Sequence, residues 1–455
     1  MSPARKAALW VLLTWHRSGV FPDQLLRDYW AKHPQSRAAD RNLSYQLVFG
    51  VLRWRKRLDW IIRQVSSRPL EKISPRPLYL LRLGAFQILH LSRIPLSAAV
   101  HESVQLAKEG REPWAAGFVN AVLRALIRHQ DRLIFPGEDD PLSYLTVRYS
   151  FPSWLVQRWI DLWGRKEAEN LCRFLNEIPP VTLRVNTLKT GRDALMKILK
   201  EEAARPLPTP YAPAGIRVED PEGPLWDCRA FQDGLFQIQD EASQLISLIL
   251  DPKPGETVLD LCAGAGGKSS HMAELMKDQG RVVAVDLHPQ KLEALQENTR
   301  RLGIKIVEPL RGDGLEGHLF SRTAPPFDRI LIDAPCTGWG VINRNPDLKW
   351  RLRPEDGPRL AERQNKFLQN AAAWLKSGGV MVYATCTLNP EENQEVLRRF
   401  LETHPHFEVE GVSPFLPQTA EGLTDGHGCF QTWPPRHRLD GFFAARLRKK
   451  GSSLP

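Results

Sequence analysis

The sequence predicts a protein of three parts: an all-α helical bundle, a small α+β module and a doubly wound α/β domain. Three observations lead to this fold class. The first third places apolar residues at helical spacing and shows no strand pattern. From about residue 237, short apolar runs alternate with helical stretches, which is typical of parallel strands joined by right-handed crossovers. A glycine cluster follows the first of these runs, as at the ligand-binding edge of a doubly wound sheet.

The helical bundle is assigned to residues 1–135. Between 40 and 64 the apolar residues form one helical stripe, and further helical stretches are predicted at 78–91, 98–108 and 115–129. An acidic stretch with proline and glycine, 136–141, is the expected linker. The members of the stripe are Leu43, Leu47, Val51, Leu58, Ile61 and Ile62.

The other two parts are assigned to residues 145–235 and 237–450. The small module should contain a helix at 152–175, a strand at 181–186 and a helix at 192–203. In the doubly wound domain, helices are predicted between the strands, and 441–447 is predicted as a last strand at the edge of the sheet. The parallel strands are predicted at 257–261, 281–286, 304–310, 328–333 and 379–384.

Composition excludes several classes of protein. The 42% hydrophobic and 25% charged residues are close to the globular average, so a disordered or fibrous chain is excluded. No apolar run is long enough for a membrane-spanning helix, and the N-terminus lacks a signal-peptide pattern. The six cysteines form no C-x-x-C pair, which argues against disulfide scaffolds and zinc ribbons. We therefore expect a cytoplasmic protein with no membrane partner and no metal.

The positive charge is concentrated at one end of the chain. Residues 1–150 hold 23 Lys and Arg against 12 Asp and Glu, whereas the other 305 residues hold 39 against 40. A basic module joined to a nearly neutral one favours a polyanionic partner. Arg53, Arg55 and Arg57 are the candidate phosphate contacts on the predicted helix, and their removal should flatten the salt dependence of binding.

A glycine-rich turn and a later aspartate predict the cofactor. The turn at 262–268 lacks the spacing of a phosphate loop and of a dinucleotide site, but its glycines allow a ligand to approach the backbone closely. Asp286 ends the next strand, where a carboxylate can accept both hydroxyls of a ribose. Together they favour a nucleoside cofactor without a pyrophosphate, and S-adenosylmethionine (AdoMet) fits best. The turn consists of Cys262, Ala263, Gly264, Ala265, Gly266, Gly267 and Lys268.

Two cysteines follow adjacent strands and predict nucleophilic chemistry. Cys336 lies just after one strand and Cys386 just after the next, so both thiols should reach one cleft. A thiolate that adds to carbon 6 of cytosine turns carbon 5 into an enamine-like nucleophile that can accept a methyl group. Asp333, three residues before Cys336, could supply the carboxyl group that contacts the base.

These segments resemble a known family of enzymes. DLCAGAGGK at 260–268, DAPC at 333–336, TC at 385–386 and PEEN at 390–393 resemble motifs of the RsmB/NOP family of RNA cytosine-5 methyltransferases. IPLSAAV at 94–100 and GFVNAVLR at 117–124 are similar to the NusB-like RNA-binding domain. That combination is the RsmB-type architecture, and the resemblance covers nearly the whole chain. One departure is Gly264-Ala265, where the family turn usually has Ala-Pro.

The resemblance implies a role for each site residue. Cys386 would be the nucleophile, Cys336 would assist product release, and Asp333 would contact the cytosine. The turn with Asp286, Asp313 and Asp333 would line the AdoMet pocket of a Rossmann-like domain, with Asp286 on the ribose and Asp313 near the adenine. The segment 145–235 would be an RNA-recognition-like module. The implied substrate is one cytosine of 16S ribosomal RNA, and the protein is expected to act as a monomer.

Four other functions share part of this sequence pattern. A DNA cytosine-5 methyltransferase would use Cys336 as its nucleophile and would need a Glu-Asn-Val motif, which this sequence lacks. A different RNA target, either transfer RNA or another ribosomal position, stays open. A non-catalytic RNA-binding or antitermination factor is disfavoured because Cys386 and Asp286 are both present. An NAD-linked oxidoreductase is disfavoured because the turn lacks dinucleotide spacing.

Overall fold

The computed structural model describes residues 2–110, 112–202, 204–219, 223–320 and 326–451. The chain divides into two compact units. Unit 1 contains Met1–Glu177 and Ile342–Pro354, and unit 2 contains Ile178–Val341 and Glu355–Pro455. Within the described residues, no helix combines the length and the apolar character needed to cross a bilayer.

Helices make up unit 1 and flank the sheets of unit 2. The α-helices are α1 (Pro3–Ser18), α2 (Pro22–Ala31), α3 (Ala38–Val65), α4 (Pro75–His90), α5 (Leu96–Lys108), α6 (Ala115–His129), α7 (Pro141–Arg148), α8 (Ser153–Phe174), α9 (Arg192–Glu201), α10 (Arg229–Gln232), α11 (Glu241–Leu250), α12 (Gly267–Leu275), α13 (Pro289–Leu302), α14 (Leu348–Arg351), α15 (Asp356–Trp374), α16 (Gln394–Thr403) and α17 (Pro434–His437). The strands are β1 (Val181–Val185), β2 (Arg205–Pro208), β3 (Gly215–Glu219), β4 (Phe236–Ile238), β5 (Thr257–Leu261), β6 (Arg281–Asp286), β7 (Val307–Arg311), β8 (Phe327–Asp333), β9 (Leu375–Thr385), β10 (Phe407–Glu410), β11 (Phe430–Gln431) and β12 (Phe443–Lys449).

Unit 1 is helical, as its spacing of apolar residues predicts. On α3 the predicted stripe faces the core: Leu47, Val51 and Leu58 are fully buried, and Leu43 packs against the cluster as a partly buried residue. Burial of one leucine or valine side chain contributes roughly 1.5–3 kcal/mol, so such a stripe holds the long helix in the bundle without strong end caps. The all-α prediction for the N-terminal region is therefore confirmed.

Of the three arginines on α3 that are expected to contact phosphates, Arg53 is buried, which corrects the expectation for that residue. Arg53 is only 7% exposed, and its guanidinium donates to the backbone oxygens of Glu177 (3.2 Å) and Asn343 (2.8 Å). The Arg55 guanidinium lies 5.2 Å from the ring centroid of Trp350. Helical spacing cannot distinguish a solvated arginine from one that satisfies carbonyls inside a fold. Arg53 at least is excluded as a phosphate contact in this structure.

A short return of the chain completes unit 1. In the segment Ile342–Pro354, the fully buried Lys349 ammonium donates to Asn176 Oδ1 (2.7 Å) and to the backbone oxygen of Arg53 (3.2 Å). Trp350 Nε1 donates to the backbone oxygen of Leu52 at 2.6 Å. Burial depresses the pKa of Lys349 far below its usual value. The predicted bounds of the doubly wound domain, 237–450, include this segment.

Unit 2 begins with the small sheet. Its order is β2-β3-β1-β4, all antiparallel, and α9 and α10 pack on it through a core that includes Leu183, Leu195 and Phe236. The predicted module bounds, 145–235, differ from this division, because α8 belongs to unit 1. The assignment of separate domains to 1–135, 145–235 and 237–450 stays a prediction.

The large sheet of unit 2 has the order β10-β12-β9-β8-β5-β6-β7. Strands β5 to β9 are parallel, and β12 runs antiparallel to both β9 and β10. The predicted doubly wound domain is confirmed, but the last strand is not at the edge as predicted, because β10 pairs with its outer side. In β12, Phe443, Ala444 and Ala445 are fully buried. The apolar run of β12 does not show that β10 pairs on its outer side.

Candidate active site

The candidate site lies where the parallel strands of unit 2 end. Because β5, β6, β7, β8 and β9 run in the same direction, their carboxyl ends meet at one edge of the sheet. The glycine-rich turn follows β5, Asp286 ends β6, Asp313 follows β7, Asp333 ends β8 and Cys386 follows β9. The structure thus brings the predicted residues to one edge of one sheet.

The turn after β5 is built from backbone conformations that favour glycine. Gly264 has φ +58° and Gly266 has φ +80°, both in the left-handed region. A Cβ on Gly266 would lie 2.7 Å from Leu295 Cγ, whereas a Cβ on Gly264 would meet nothing within 4 Å. At position 264, where the family turn usually has alanine, this chain has a glycine in the left-handed region. The space beside that glycine is open.

Asp286 is tied to this turn by its carboxylate. Its Oδ2 accepts from Gly264 N at 3.0 Å and its Oδ1 accepts from His288 N at 2.9 Å, while the side chain is almost fully buried. Lys291 Nζ lies 3.6 Å from the same Oδ2, so the carboxylate is held by two backbone donors and faces one cation. Gly312 N donates to the backbone oxygen of Asp286 at 3.3 Å, which brings the loop of Asp313 alongside.

The other predicted residues of the turn and of its surroundings also make specific hydrogen bonds or are buried. Ala263 N donates to Val285 O at 2.8 Å, and Ala265 O accepts from Asn298 Nδ2 at 3.1 Å. Burial raises the pKa of Cys262, so it stays a neutral thiol. Asp313 Oδ1 accepts from Leu315 N at 3.0 Å, which folds this side chain back onto its own loop.

A buried aspartate that sequence reasoning missed lies under the turn. Asp260 is only 1% exposed, and its Oδ2 accepts from Ser269 Oγ at 2.6 Å. Its Oδ1 has no hydrogen-bond partner among the described residues. Burial raises the pKa of Asp260 to about 7. The signal in the sequence was an acidic residue inside the apolar run TVLDL. The partly exposed turn at Gly264 and the Asp286 carboxylate beside it fit a ligand with hydroxyl and amino donors, such as AdoMet.

Lys268 connects the turn to Asp333. Its ammonium lies 2.5 Å from Asp333 Oδ2, and the two side chains are 10% and 30% exposed. Burial works to lower the pKa of Lys268, but the charge and hydrogen bond of Asp333 outweigh it and raise that pKa. The charges of Asp260 and Cys386 act in the same direction on this pKa.

The two predicted cysteines are in contact. Cys336 Sγ lies 3.3 Å from Cys386 Sγ, and neither thiol is part of a disulfide. The hydrogen bond to Cys386 and burial together raise the pKa of Cys336 far above its usual value. Cys336 therefore stays protonated, and its S–H can donate to the Cys386 sulfur. Two free thiols thus lie side by side at this edge of the sheet.

A buried arginine that sequence reasoning also missed supports the turn from the small sheet. Arg184 on β1 is fully buried, and it donates to the backbone oxygen of Gly267 (2.6 Å), to Ser270 Oγ (2.8 Å) and to Glu274 Oε1 (2.9 Å). It also donates to Gln239 Oε1. Gly267 and Glu274 lie on α12, which begins at the turn. No motif marks this arginine in the sequence.

Comparison with known proteins gives matches along the whole chain. Residues 247–448 match the family model of the 16S rRNA methyltransferase RsmB/F, residues 2–128 match the NusB family, and residues 151–223 match the Methyltr_RsmF/B-like, ferredoxin-like domain. The probable ribosomal RNA small subunit methyltransferase B of Bacillus subtilis (strain 168) is 38% identical over 450 residues, which is 98% of this chain and 99% of that protein. The ribosomal RNA small subunit methyltransferase B of Escherichia coli O6:K15:H31 is 36% identical over 416 residues, 90% of this chain and 91% of that protein.

Solved structures agree with these matches. The crystal structure of PH0851 superimposes with a TM-score of 0.83 at 28% identity and covers 98% of each chain. The crystal structure of NSun6 from Pyrococcus horikoshii with SFG gives a TM-score of 0.58 at 25% identity, covering 66% of this chain and 99% of that one.

Proposed function

Since this chain belongs to the ribosomal RNA small subunit methyltransferase B family, we propose that it methylates carbon 5 of one cytosine in 16S ribosomal RNA through a covalent cysteine–cytosine intermediate. Membership in that family confirms the resemblance seen in the motifs, and it makes the chain an AdoMet-dependent methyltransferase. The observation that carries the finer proposal is the 3.3 Å contact between the Cys336 and Cys386 sulfurs beside Asp333 and Lys268.

The residues of the turn would hold the cofactor. Asp286 would accept from the ribose hydroxyls, Asp313 would lie near the adenine, and the backbone at Gly264 would allow close approach. AdoMet, when bound, supplies an electrophilic methyl group. Lys268 neutralises Asp333 at this edge, so the site does not accumulate uncompensated acidic charge.

Addition would begin at Cys386. Its thiolate forms a bond to carbon 6 of the cytosine, and the electron pair of the 5,6 double bond makes carbon 5 nucleophilic. Cys336, which stays protonated, lies in contact with the attacking sulfur and can donate its S–H to it. Asp333, oriented by the ammonium of Lys268, would accept a hydrogen bond from the amino group of the cytosine and so hold the base in place for attack.

Release would reverse the addition. Once carbon 5 carries its methyl group, a base removes the remaining proton from carbon 5 and the 5,6 double bond re-forms. The bond between carbon 6 and sulfur then breaks, and Cys386 leaves as a thiolate. Cys336, in contact with that sulfur, assists this step. Loss of Cys336 should therefore leave the RNA covalently attached.

The partners and location follow from the same proposal. We expect the helical part to contribute RNA affinity, the enzyme to act as a cytoplasmic monomer, and catalysis to need no metal. If affinity comes from phosphate contacts, binding should weaken with salt.

We predict that Asp286→Ala weakens AdoMet binding about 10- to 100-fold, because hydrogen bonds to a charged group contribute about 1.5–3 kcal/mol. Isothermal titration calorimetry without RNA measures this directly. Glu293→Ala, on the exposed face of α13, is the matched control and should leave the affinity unchanged. Equal affinities for Asp286→Ala and the unmodified protein would remove Asp286 from the cofactor site.

Covalent trapping tests the proposed reaction. The Cys336→Ala variant is mixed with AdoMet and unmodified small-subunit ribosomal RNA and run on a denaturing gel, and we expect a slow protein–RNA band. The same variant with Cys386→Ala added should give no band. Parallel reactions with large-subunit ribosomal RNA and transfer RNA identify the substrate class.

Each other outcome has a distinct meaning. A band with transfer RNA alone would move the substrate to a different RNA. A band that persists without Cys386 would overturn the assignment of the nucleophile. The absence of any band with any RNA would favour a binding factor that does not form this intermediate.

A further inference from the structure

One buried carboxylate joins the loops that follow the two cysteines. Glu392 is fully buried, in a short 3₁₀ helix at Pro390–Glu392. Its Oε2 accepts from the backbone N–H of Thr337 at 2.9 Å, and its Oε1 accepts from the Thr337 hydroxyl. Oε1 also accepts from Asn389 Nδ2 at 3.1 Å. Thr337 directly follows Cys336. The Glu392 carboxylate therefore binds the N–H and the hydroxyl of the residue next to the Cys336 thiol.

Two further contacts tie the same loops together. The hydroxyls of Thr337 and Thr387 are 2.8 Å apart, and Thr387 directly follows Cys386. Gly340 N donates to the backbone oxygen of Cys386 at 3.2 Å. Thr337 and Thr387, which follow the two cysteines, are therefore held against each other. The Glu392 carboxylate accepts hydrogen bonds from Thr337 and so anchors this contact.

The carboxylate is also fixed from a third element. Gln364 Nε2, on α15, donates to Oε2 at 3.1 Å and to the backbone oxygen of Pro335 at 2.9 Å. Four donors on one carboxylate fix its position more firmly than any single bond does, since charge-assisted hydrogen bonds are about twice as strong as neutral ones. Burial raises the pKa of Glu392, and these donors oppose that rise.

We propose that Glu392 is a positioning residue that holds Cys336 against Cys386 for the release step. The proposal rests on the covalent mechanism proposed above. Glu392 need not touch the substrate, because it acts through Thr337 on the backbone that carries Cys336. Its neutral isostere, glutamine, would turn an amide N–H₂ toward two of the four donors and would release part of this loop.

The test uses the covalent adduct as a reporter of release. Glu392→Gln, with both cysteines present, should accumulate the protein–RNA adduct that Cys336→Ala accumulates, and its kcat should fall about 10- to 100-fold. The KM for AdoMet should not change. Glu395→Gln is the matched control, since Glu395 bonds Arg398 and Arg399 on the surface of α16, and it should show wild-type kcat and no adduct.

Other results would overturn the proposal. A folded Glu392→Gln variant with wild-type kcat and no adduct would show that Cys336 needs no such support. A reduced kcat without an adduct would place the effect before the covalent step, which also contradicts a role in release. If Glu392→Gln does not fold, Thr337→Val removes one donor and the contact to Thr387 while it keeps the carboxylate, and it should accumulate the adduct to a smaller extent.

Failure of the covalent mechanism would give a different result from failure of the role proposed for Glu392. If Cys336→Ala itself gives no adduct with any RNA, the covalent mechanism fails whatever Glu392→Gln does. If Cys336→Ala gives the adduct and neither Glu392→Gln nor Thr337→Val does, the mechanism stands and the role of Glu392 is wrong.

Discussion

Cys386→Ala should reduce methyl transfer to RNA on the order of 10⁴-fold or more while AdoMet binding stays unchanged. Removal of a covalent nucleophile leaves only binding and electrostatic contributions to the rate, as in other enzymes that depend on one nucleophile. Asp286 and the turn do not depend on this sulfur, so the cofactor site should persist. Single-turnover transfer of a labelled methyl group measures the rate, and calorimetry measures AdoMet binding.

The matched control is Cys228→Ala, because Cys228 lies in the small-sheet region and its sulfur contacts the backbone oxygen of Leu225. This variant should keep wild-type transfer. Cys336→Ala should differ from both, with a first turnover that forms the adduct and little turnover after it. If Cys336→Ala abolishes the first transfer and Cys386→Ala does not, the two roles must be exchanged.

The meeting of distant residues at the site could be predicted because it depends on topology alone. Cys336 and Cys386 are 50 positions apart, but each lies within three residues of the end of a parallel strand, and neighbouring parallel strands end at one edge. Asp333 and Lys268 meet for the same reason across β5 and β8. A period-2 or continuous apolar run marks each of these strands, so the local pattern is sufficient to predict which residues follow the strand ends.

Buried charges could not be predicted, because the pattern of a surface arginine and that of a buried one are alike. Arg184 meets Glu274 from 90 positions away, and Arg53 meets Asn343 from 290 positions away. Their partners are mostly backbone oxygens or polar residues, which carry no signature in the sequence. Glu392 lies in the PEEN segment at 390–393, but only the folded loops show which donors surround its carboxylate.

Replacing Arg184 with methionine should lower the free energy of unfolding of unit 2 by about 3–5 kcal/mol, because it leaves the buried carboxylate of Glu274 without its charged partner. Both side chains are at most 1% exposed, so solvent cannot compensate. The loss should appear in urea unfolding followed by circular dichroism. The surface pair Arg217–Glu219, at 42% and 46% exposure, provides the control, and Arg217→Met should change stability by no more than about 1 kcal/mol.

A second substitution separates the cost of the unpaired charge from the value of the pair. Replacing a buried ion pair by apolar residues of similar volume is often neutral, whereas breaking it is costly. Arg184→Met combined with Glu274→Leu should therefore recover much of the stability lost in Arg184→Met alone. We also expect both variants to bind AdoMet more weakly than the unmodified protein, because the bond from Arg184 to the backbone oxygen of Gly267 is lost in each. Recovery of affinity along with stability would instead mean that the arginine stabilises the fold and does not orient the turn.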